Sequence, residues 1–184
     1  MDDEARAADK RGRRQSEEAL SRAYRDFAGV VLAYLRAAGV EDPESVTHDV
    51  FLALHPMLAT VAKEREGLRT LLFSIAHARI VDHHRRRARH PAPDSYDPAK
   101  DLRVVPSAED QTLALVGNSE AWKLLDGLSE DQREVLTLRV LADLSLEQTA
   151  AIMERSVGSV KQLQLRGIRT LRTRLGARKG DRDD

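Results

Sequence analysis

The stretch that decides the fold is SEDQREVLTLRVLADLSLEQTAAIMERSVGSVKQLQLRGIRTLRTRL, residues 129–175. Ser129, Ser145 and Ser156 divide it, and each serine precedes a run of apolar residues with helical spacing. Ser129 and Ser145 are each followed three residues later by glutamine, which is the spacing of a helix-capping box. The stretch therefore predicts three consecutive helices, over about 130–142, 146–153 and 157–176.

The last of these helices has an apolar face and a basic face. With ~100° per residue on a helical wheel, one arc holds Val160, Leu163, Gly167, Ile168, Leu171 and Leu175. Gln162, Arg166 and Arg169 fall on the opposite side, and the helix contains no acidic residue. A basic helix behind a two-helix scaffold is typical of a helix-turn-helix, whose final helix enters the DNA major groove. The alternative is a solvated basic face that binds nothing.

Two residues of this helix, Gly167 and Leu165, need a separate explanation. Gly167 lies in the helix interior, where glycine costs about 1 kcal/mol relative to alanine. We expect close packing against the predicted 146–153 helix to compensate for that cost. Leu165 falls outside the apolar arc, so we expect it to pack on a partner or to contact a thymine methyl group.

The first half of the chain predicts three further helices. Apolar periodicity indicates helices over about 17–38, 43–61 and 67–90, with a break at Pro56 in the second. Gly39 is expected to stop the first helix, and Asp42 to cap the second. The third ends in DHHRRRARH, a basic run suited to DNA phosphates; the alternative is a solubilising helix end. Residues 1–16 are charged and without apolar periodicity, which predicts a disordered arm.

Four of the six prolines lie within residues 91–107, which predicts a flexible linker. We therefore predict an all-α chain of two small helical domains, 17–90 and 108–177, joined by this proline-rich linker. The second domain is expected to be a four-helix domain with a helix-turn-helix, followed by a tail over 178–184. No strand pattern of useful length occurs.

Composition excludes several function classes. The net charge is zero, with 30 basic and 30 acidic residues, so nucleic-acid binding requires local cationic clusters. There is no cysteine, hence no disulfide or thiolate metal site. Asp82-His83-His84 mimics a phosphoesterase signature but lacks the further carboxylates that such a site needs. We therefore predict no catalytic residue, no metal and no cofactor. Neither a signal peptide nor a membrane-spanning run is visible, so a cytoplasmic protein without membrane insertion is expected.

Three segments together resemble the bacterial sigma factors of the extracytoplasmic-function (ECF, group IV) class. Residues 124–175, LLDGLSEDQREVLTLRVLADLSLEQTAAIMERSVGSVKQLQLRGIRTLRTRL, resemble that family's region 4 almost throughout. THDVFLAL (47–54) and LRTLLFSIAHARIVDHHRRRAR (68–89) resemble its region 2. The resemblance implies a promoter-specificity subunit of RNA polymerase, with region 2 over 17–90 and region 4 over 108–177.

The resemblance also implies roles for single residues. Contacts with the promoter −35 element would come from Ser156, Ser159, Lys161, Gln162, Leu165, Arg166 and Arg169. Contacts with the −10 element would come from Lys63, Arg79, His83, Arg86 and Arg87. The polymerase core would be bound through His48, Asp49 and Leu52. His48 replaces the usual glutamine, and Glu154 takes a position in the helix-turn-helix that is often glycine.

The expected partners are RNA polymerase core, promoter DNA and an anti-sigma protein. The alternative is a helix-turn-helix regulator that binds DNA without acting as a polymerase subunit. Such regulators share the L-S-x-x-x-x-E-V-L motif, but they usually carry an α/β receiver domain, which this sequence lacks.

Overall fold

The computed structural model describes residues 2–58, 65–89 and 124–180, and all regular structure within them is helical. We number the helices α1 Asp2–Ala37, α2 Pro43–Leu54, α3 Arg65–Arg89, α4 Glu130–Leu136, α5 Leu146–Ile152 and α6 Val157–Gly180. A 3₁₀ turn, His55–Met57, follows α2, and a π-helical segment, Thr137–Leu141, follows α4. The prediction of an all-α fold is confirmed.

The first helix is longer than predicted. It begins at Asp2, so the prediction of a disordered arm is wrong for residues 2–16. This segment lacks apolar periodicity, but it contains three alanines and four arginines, which have high helix propensity. Once the packed part of α1 has formed, each added residue gains a backbone hydrogen bond without a new nucleation cost.

The ends of α1 and α2 follow local chain chemistry. Gly39 adopts φ +72°, and its amide donates to Arg36 O while the Val40 amide donates to Leu35 O. These two bonds form a Schellman motif, which ends α1 as predicted. Asp42 caps α2 by accepting from the Ser45 amide at 3.0 Å, again as predicted. The α-helix then gives way to the 3₁₀ turn at Pro56, where a break was expected.

The serine caps of the second half are all present. Ser129 and Ser145 form reciprocal capping boxes with Gln132 and Gln148. Ser156 accepts from the Ser159 amide at 3.2 Å and caps α6. The predicted 130–142 helix continues past α4 as a π turn, with the Ala142 amide bonded to Thr137 O. These caps set where each helix begins.

The core of the described residues is mainly aliphatic, with four buried aromatic rings, and forms one continuous cluster across both halves of the chain. Side chains with no more than 1% exposure in the first half include Val31, Tyr34, Leu35, Val50, Leu54, Leu58, Leu72 and Phe73. In the second half they include Val135, Leu138, Leu144 and Val160. Both predicted helical units therefore have their own buried side chains, and these sets touch.

The halves pack on each other along two lines. The C-terminal part of α1 lies against α4 and the π segment, and α3 lies against α5. Arg69 of α3 donates from Nη1 to both the carbonyl and the carboxylate of Asp143, each at 2.9 Å. Arg133 of α4 donates to Ala37 O, the last carbonyl of α1, at 3.0 Å. The predicted linker, 91–107, and the start of the predicted second domain lie outside the described residues, so the domain boundaries stay a prediction.

Helix α6 is held by close packing at Gly167. A Cβ at this position would lie 2.9 Å from Leu136 Cδ1 and 3.5 Å from Gln132 Cβ. The expectation of close packing is correct, but the neighbour is α4 rather than the 146–153 helix. Leu175, predicted to be buried, is 50% exposed. The helix continues to Gly180, so residues 178–180 of the predicted tail are helical.

Substitution of Gly167 tests this packing. Gly167→Ala should lower the free energy of unfolding by about 1–2 kcal/mol, because overpacking a buried contact outweighs the gain in helix propensity. Gly176→Ala is the matched control in the same helix, since a Cβ there meets nothing within 4 Å. It should raise stability by up to about 1 kcal/mol. Denaturant unfolding checks both, and equal effects at the two glycines would contradict the packing.

Candidate nucleic-acid interface

The helix-turn-helix is built from α5, a four-residue turn and α6. Thr149 of α5 is fully buried, and its carbonyl accepts from the Met153 amide at 3.0 Å. The Arg155 amide then donates to Ala150 O at 2.9 Å, which closes the turn before the Ser156 cap. Glu154 adopts φ +52°, so the position that is often glycine in the family has a left-handed backbone here. The turn is tight because its backbone amides bond back to α5.

The buried side of α6 decides which residues face outward. Val160 is fully buried and Gly167 lies against Leu136, as described above. Of the seven side chains on this helix and its N-cap that were predicted to contact DNA, six are exposed and Ser159 is half-buried. The exposed six are Ser156, Lys161, Gln162, Leu165, Arg166 and Arg169. The structure therefore brings the predicted set together on one helix surface. Ser156 also has a structural role, since its hydroxyl oxygen caps the helix.

The exposed face of α6 carries several cationic side chains. The helix contains no acidic residue, and no described ion pair involves Lys161, Arg166 or Arg169. Leu165, between these cations, is 52% exposed. Unpaired guanidinium groups keep their hydrogen-bond donors free, and the arginine fork matches the acceptor edge of guanine. An exposed leucine among them can contact a thymine methyl group.

A second basic surface lies at the C-terminal end of α3. Arg86 and Arg87 are exposed, whereas Arg79 and His83 are half-buried. Arg87 pairs with Glu41 at 2.9 Å, but both side chains are more than half exposed, so solvent leaves little net stabilisation. Such a pair can be exchanged for a phosphate at low cost. Lys63 lies outside the described residues.

Two side chains of this surface have polar atoms without a partner among the described residues. Arg79 Nε and His83 Nε2 are buried and make no hydrogen bond. Burial lowers the pKa of His83, and nearby His84, Arg87 and Arg86 lower it further against the opposing effect of Glu41. His83 is therefore neutral at pH 7 and can take part in hydrogen bonds without adding charge.

The three predicted polymerase-binding residues share a surface of α2. His48, Asp49 and Leu52 are all exposed, and Leu52 is exposed by 56%. Met57 and Tyr24 are further exposed apolar side chains. The centre of the Tyr24 ring, on α1, lies 4.8 Å from the centre of the Phe51 ring, on α2. Neither Tyr24 nor Met57 is in the predicted polymerase-binding set.

Within the described residues there is no group of three or more histidine or acidic side chains that could hold a metal ion. None of the described helices is both long and apolar enough to cross a membrane.

Comparison with known proteins identifies the second half directly. Residues 124–173 match the family "Sigma-70, region 4". The ECF RNA polymerase sigma factor ShbA of Streptomyces griseus is 26% identical over 186 residues, which cover 80% of this chain and 97% of ShbA. SigD of Mycobacterium tuberculosis, also an ECF sigma factor, is 30% identical over 138 residues, 73% of this chain and 63% of SigD. This chain belongs to the ECF sigma factors.

Further relatives agree with that assignment. The ECF sigma factor BldN of Streptomyces coelicolor is 28% identical over 156 residues, 84% of this chain. The sigma factor described here spans 59% of the length of BldN. Among solved structures, CnrH in complex with the cytosolic domain of CnrY covers 88% of this sigma factor with a TM-score of 0.54 at 22% identity. This likeness supports the fold.

The turn of the helix-turn-helix allows a stabilising substitution. A left-handed backbone costs a residue with a Cβ roughly 1–2 kcal/mol, and glycine avoids this at some cost in chain entropy. In this sigma factor, Glu154→Gly should therefore raise the free energy of unfolding by about 0.5–1 kcal/mol. Glu154→Ala, which keeps the Cβ, is the control and should give no such gain. Thermal and denaturant unfolding measure both, and a destabilising Glu154→Gly would show that the turn does not need φ > 0.

Proposed function

We propose that this sigma factor binds RNA polymerase core and directs it to promoters by contacting the −35 and −10 elements through two separate helices. The single observation that carries the proposal is the outward, acid-free basic face of α6 on its helix-turn-helix scaffold. The basic end of α3 supplies a second DNA surface. RNA synthesis itself belongs to the polymerase, and this chain contributes binding and orientation.

Helix α6 would read the −35 element from the major groove. Arg166 and Gln162 carry paired donor or acceptor groups that suit guanine and adenine edges. Lys161 and Arg169 flank them and would neutralise phosphates, while Ser156 and Ser159 lie at the N-terminal end of the helix, where the dipole favours anions. Leu165 would contact a thymine methyl group. Base specificity would then come from the centre of this set and affinity from its edges.

The −10 element would lie on the C-terminal end of α3. Exposed Arg86 and Arg87 would contact the backbone, and the half-buried side chains of Arg79 and His83 would contact DNA through their exposed parts. Exposing bases at this element costs a few kcal/mol in lost stacking and pairing. Backbone contacts and polymerase binding would offset that cost. Lys63 is carried in this set from the family resemblance alone.

The exposed surface of α2 would dock on the polymerase core. An exposed leucine flanked by His48 and Asp49 is a small apolar contact with a polar edge, which is the usual composition of a protein–protein interface. We also propose that an anti-sigma protein binds this chain. The solved complex of CnrH with the cytosolic domain of CnrY supports it, because CnrH shares this fold.

Alanine at Arg166 tests base reading. Arg166→Ala should weaken binding to −35 DNA by about 1–3 kcal/mol and relax the base preference at one position. Arg172→Ala removes the same charge from an exposed position beside the proposed face and should cost less, equally on all sequences. Fluorescence anisotropy on a library of −35 duplexes measures both. Uniform loss with Arg166→Ala would assign that residue to a phosphate instead of a base.

Run-off transcription tests the whole proposal. Purified chain added to polymerase core should produce transcripts from genomic promoter fragments that core alone does not initiate. Leu52→Glu should abolish this, because a charge replaces the exposed apolar contact, whereas Leu175→Glu alters a leucine of similar exposure outside the proposed interface and should not. A chain that binds DNA yet never converts core into an initiating enzyme would instead be a helix-turn-helix regulator.

A further inference from the structure

A cluster of three polar side chains joins the two halves of this sigma factor. Tyr34 of α1 donates its hydroxyl to Glu134 Oε1 of α4 at 2.6 Å. His77 Nδ1 of α3 lies 2.7 Å from the same oxygen and 3.1 Å from the Tyr34 hydroxyl. Tyr34 is fully buried, and the His77 and Glu134 side chains are only 21% and 22% exposed. Three helices thus share one carboxylate oxygen.

The charge states make this cluster a strong contact. Burial alone would raise the pKa of the Glu134 carboxyl, but the hydrogen bonds from His77 and Tyr34 outweigh it and hold the pKa below its usual range. Burial and the neighbouring Glu134 raise the pKa of Tyr34 well above 10.0. At neutral pH the carboxylate is therefore ionised and the phenol protonated. Hydrogen bonds to an ionised acceptor are shorter and roughly twice as strong as neutral ones.

Two arginines, Arg133 and Arg69, make further hydrogen bonds across the same interface. Arg133, next to Glu134, bonds the Ala37 carbonyl and so satisfies an orphan acceptor at the end of α1. Arg69 bonds Asp143 twice at the start of α3, and Asp143 holds a left-handed backbone with φ +50°. A strained residue persists only where its surroundings fix it. All three contacts cross between the halves.

While the two halves of the chain are packed together, the distance between the two proposed DNA surfaces is too short to reach both promoter elements. The names −35 and −10 place the elements about 25 base pairs apart, or roughly 80 Å of duplex at 3.4 Å per pair. His83 lies 14 residues along α3 from Arg69, or about 20 Å. Arg69 touches the second half, and a compact unit of this size spans about 30 Å. The two DNA surfaces are therefore within about 50 Å of each other.

We propose that the Tyr34–His77–Glu134 cluster, with Arg69–Asp143, is an intramolecular latch that keeps the free sigma factor closed until polymerase separates its halves. The consequence for promoters rests on the proposed function. The basic face of α6 and the Leu52 surface remain exposed in the closed form. The latch thus limits the span between the two DNA surfaces without covering either of them.

A distance measurement on the free full-length chain tests the latch. The chain has no cysteine, so Glu18→Cys and Thr173→Cys, both exposed, accept two spin labels uniquely. Pulsed electron paramagnetic resonance should give one narrow distance distribution for the otherwise unchanged chain. Adding Glu134→Ala and Arg69→Ala should abolish the narrow peak and lengthen the mean. Tyr34→Phe, which keeps the buried ring, should broaden the distribution in the same direction with folding retained by circular dichroism.

The control removes an ion pair within one half. Asp131 and Arg155 pair at 2.7 Å, and both belong to the second half, so Asp131→Ala with Arg155→Ala should leave the narrow peak in place. A broad distribution in the unchanged chain, or a narrow one that survives loss of Glu134 and Arg69, would overturn the latch. The measurement uses neither polymerase nor DNA. If the narrow peak is present and depends on the latch residues, but run-off transcription fails, the proposed function is contradicted and the latch is not.

Discussion

The contact between α6 and α4 at Gly167 fixes the surface on which the proposed promoter recognition depends. With only a hydrogen at this position, the two helix backbones approach closely, and Leu136 fills the space that a side chain would take. Val160, which is fully buried, anchors the same helix about two turns earlier. Together these contacts set the rotation of α6 about its own axis. Because rotation decides which residues point outward, the orientation of the basic face follows from apolar packing on the other side.

The charged side chains are distributed unevenly over the molecule. The chain as a whole is neutral, yet α6 carries no acidic residue and its exposed cations have no described partner. The basic end of α3 differs, because its Arg87 already pairs with Glu41 in solvent. Nucleic-acid binding by this sigma factor would therefore depend on local potential, with little long-range attraction from the molecule as a whole. Such binding should weaken steeply as salt screens the individual contacts.

Features that depend on near neighbours in the chain could be predicted from the sequence. The three serine caps, the Schellman turn at Gly39 and the exposed positions of α6 all follow from residues within about one turn of each other. The helix over residues 2–16 was missed because it has no apolar stripe, and helix propagation from a packed neighbour leaves no periodic signal. The DNA and polymerase contacts themselves are carried by resemblance and remain proposals.

Contacts between distant residues could not be predicted. Tyr34 and Glu134 are 100 residues apart, and nothing in either local pattern distinguishes them from a core tyrosine and a surface glutamate. The neighbour of Gly167 was misassigned for the same reason, since the sequence shows that a helix needs close packing but not which helix supplies it. These long-range contacts hold the closed form together, while the local ones shape the surfaces that would bind DNA.

The central claim is that two helices of one sigma factor contact two separate promoter elements at the same time. Site-directed DNA cleavage tests it most directly, with an iron chelate on a single introduced cysteine in the polymerase-bound chain. A chelate at Thr173→Cys in α6 should cut only near the −35 element, and one at Arg89→Cys in α3 only near the −10 element. Cleavage of the same element from both positions, or of neither, would contradict the account.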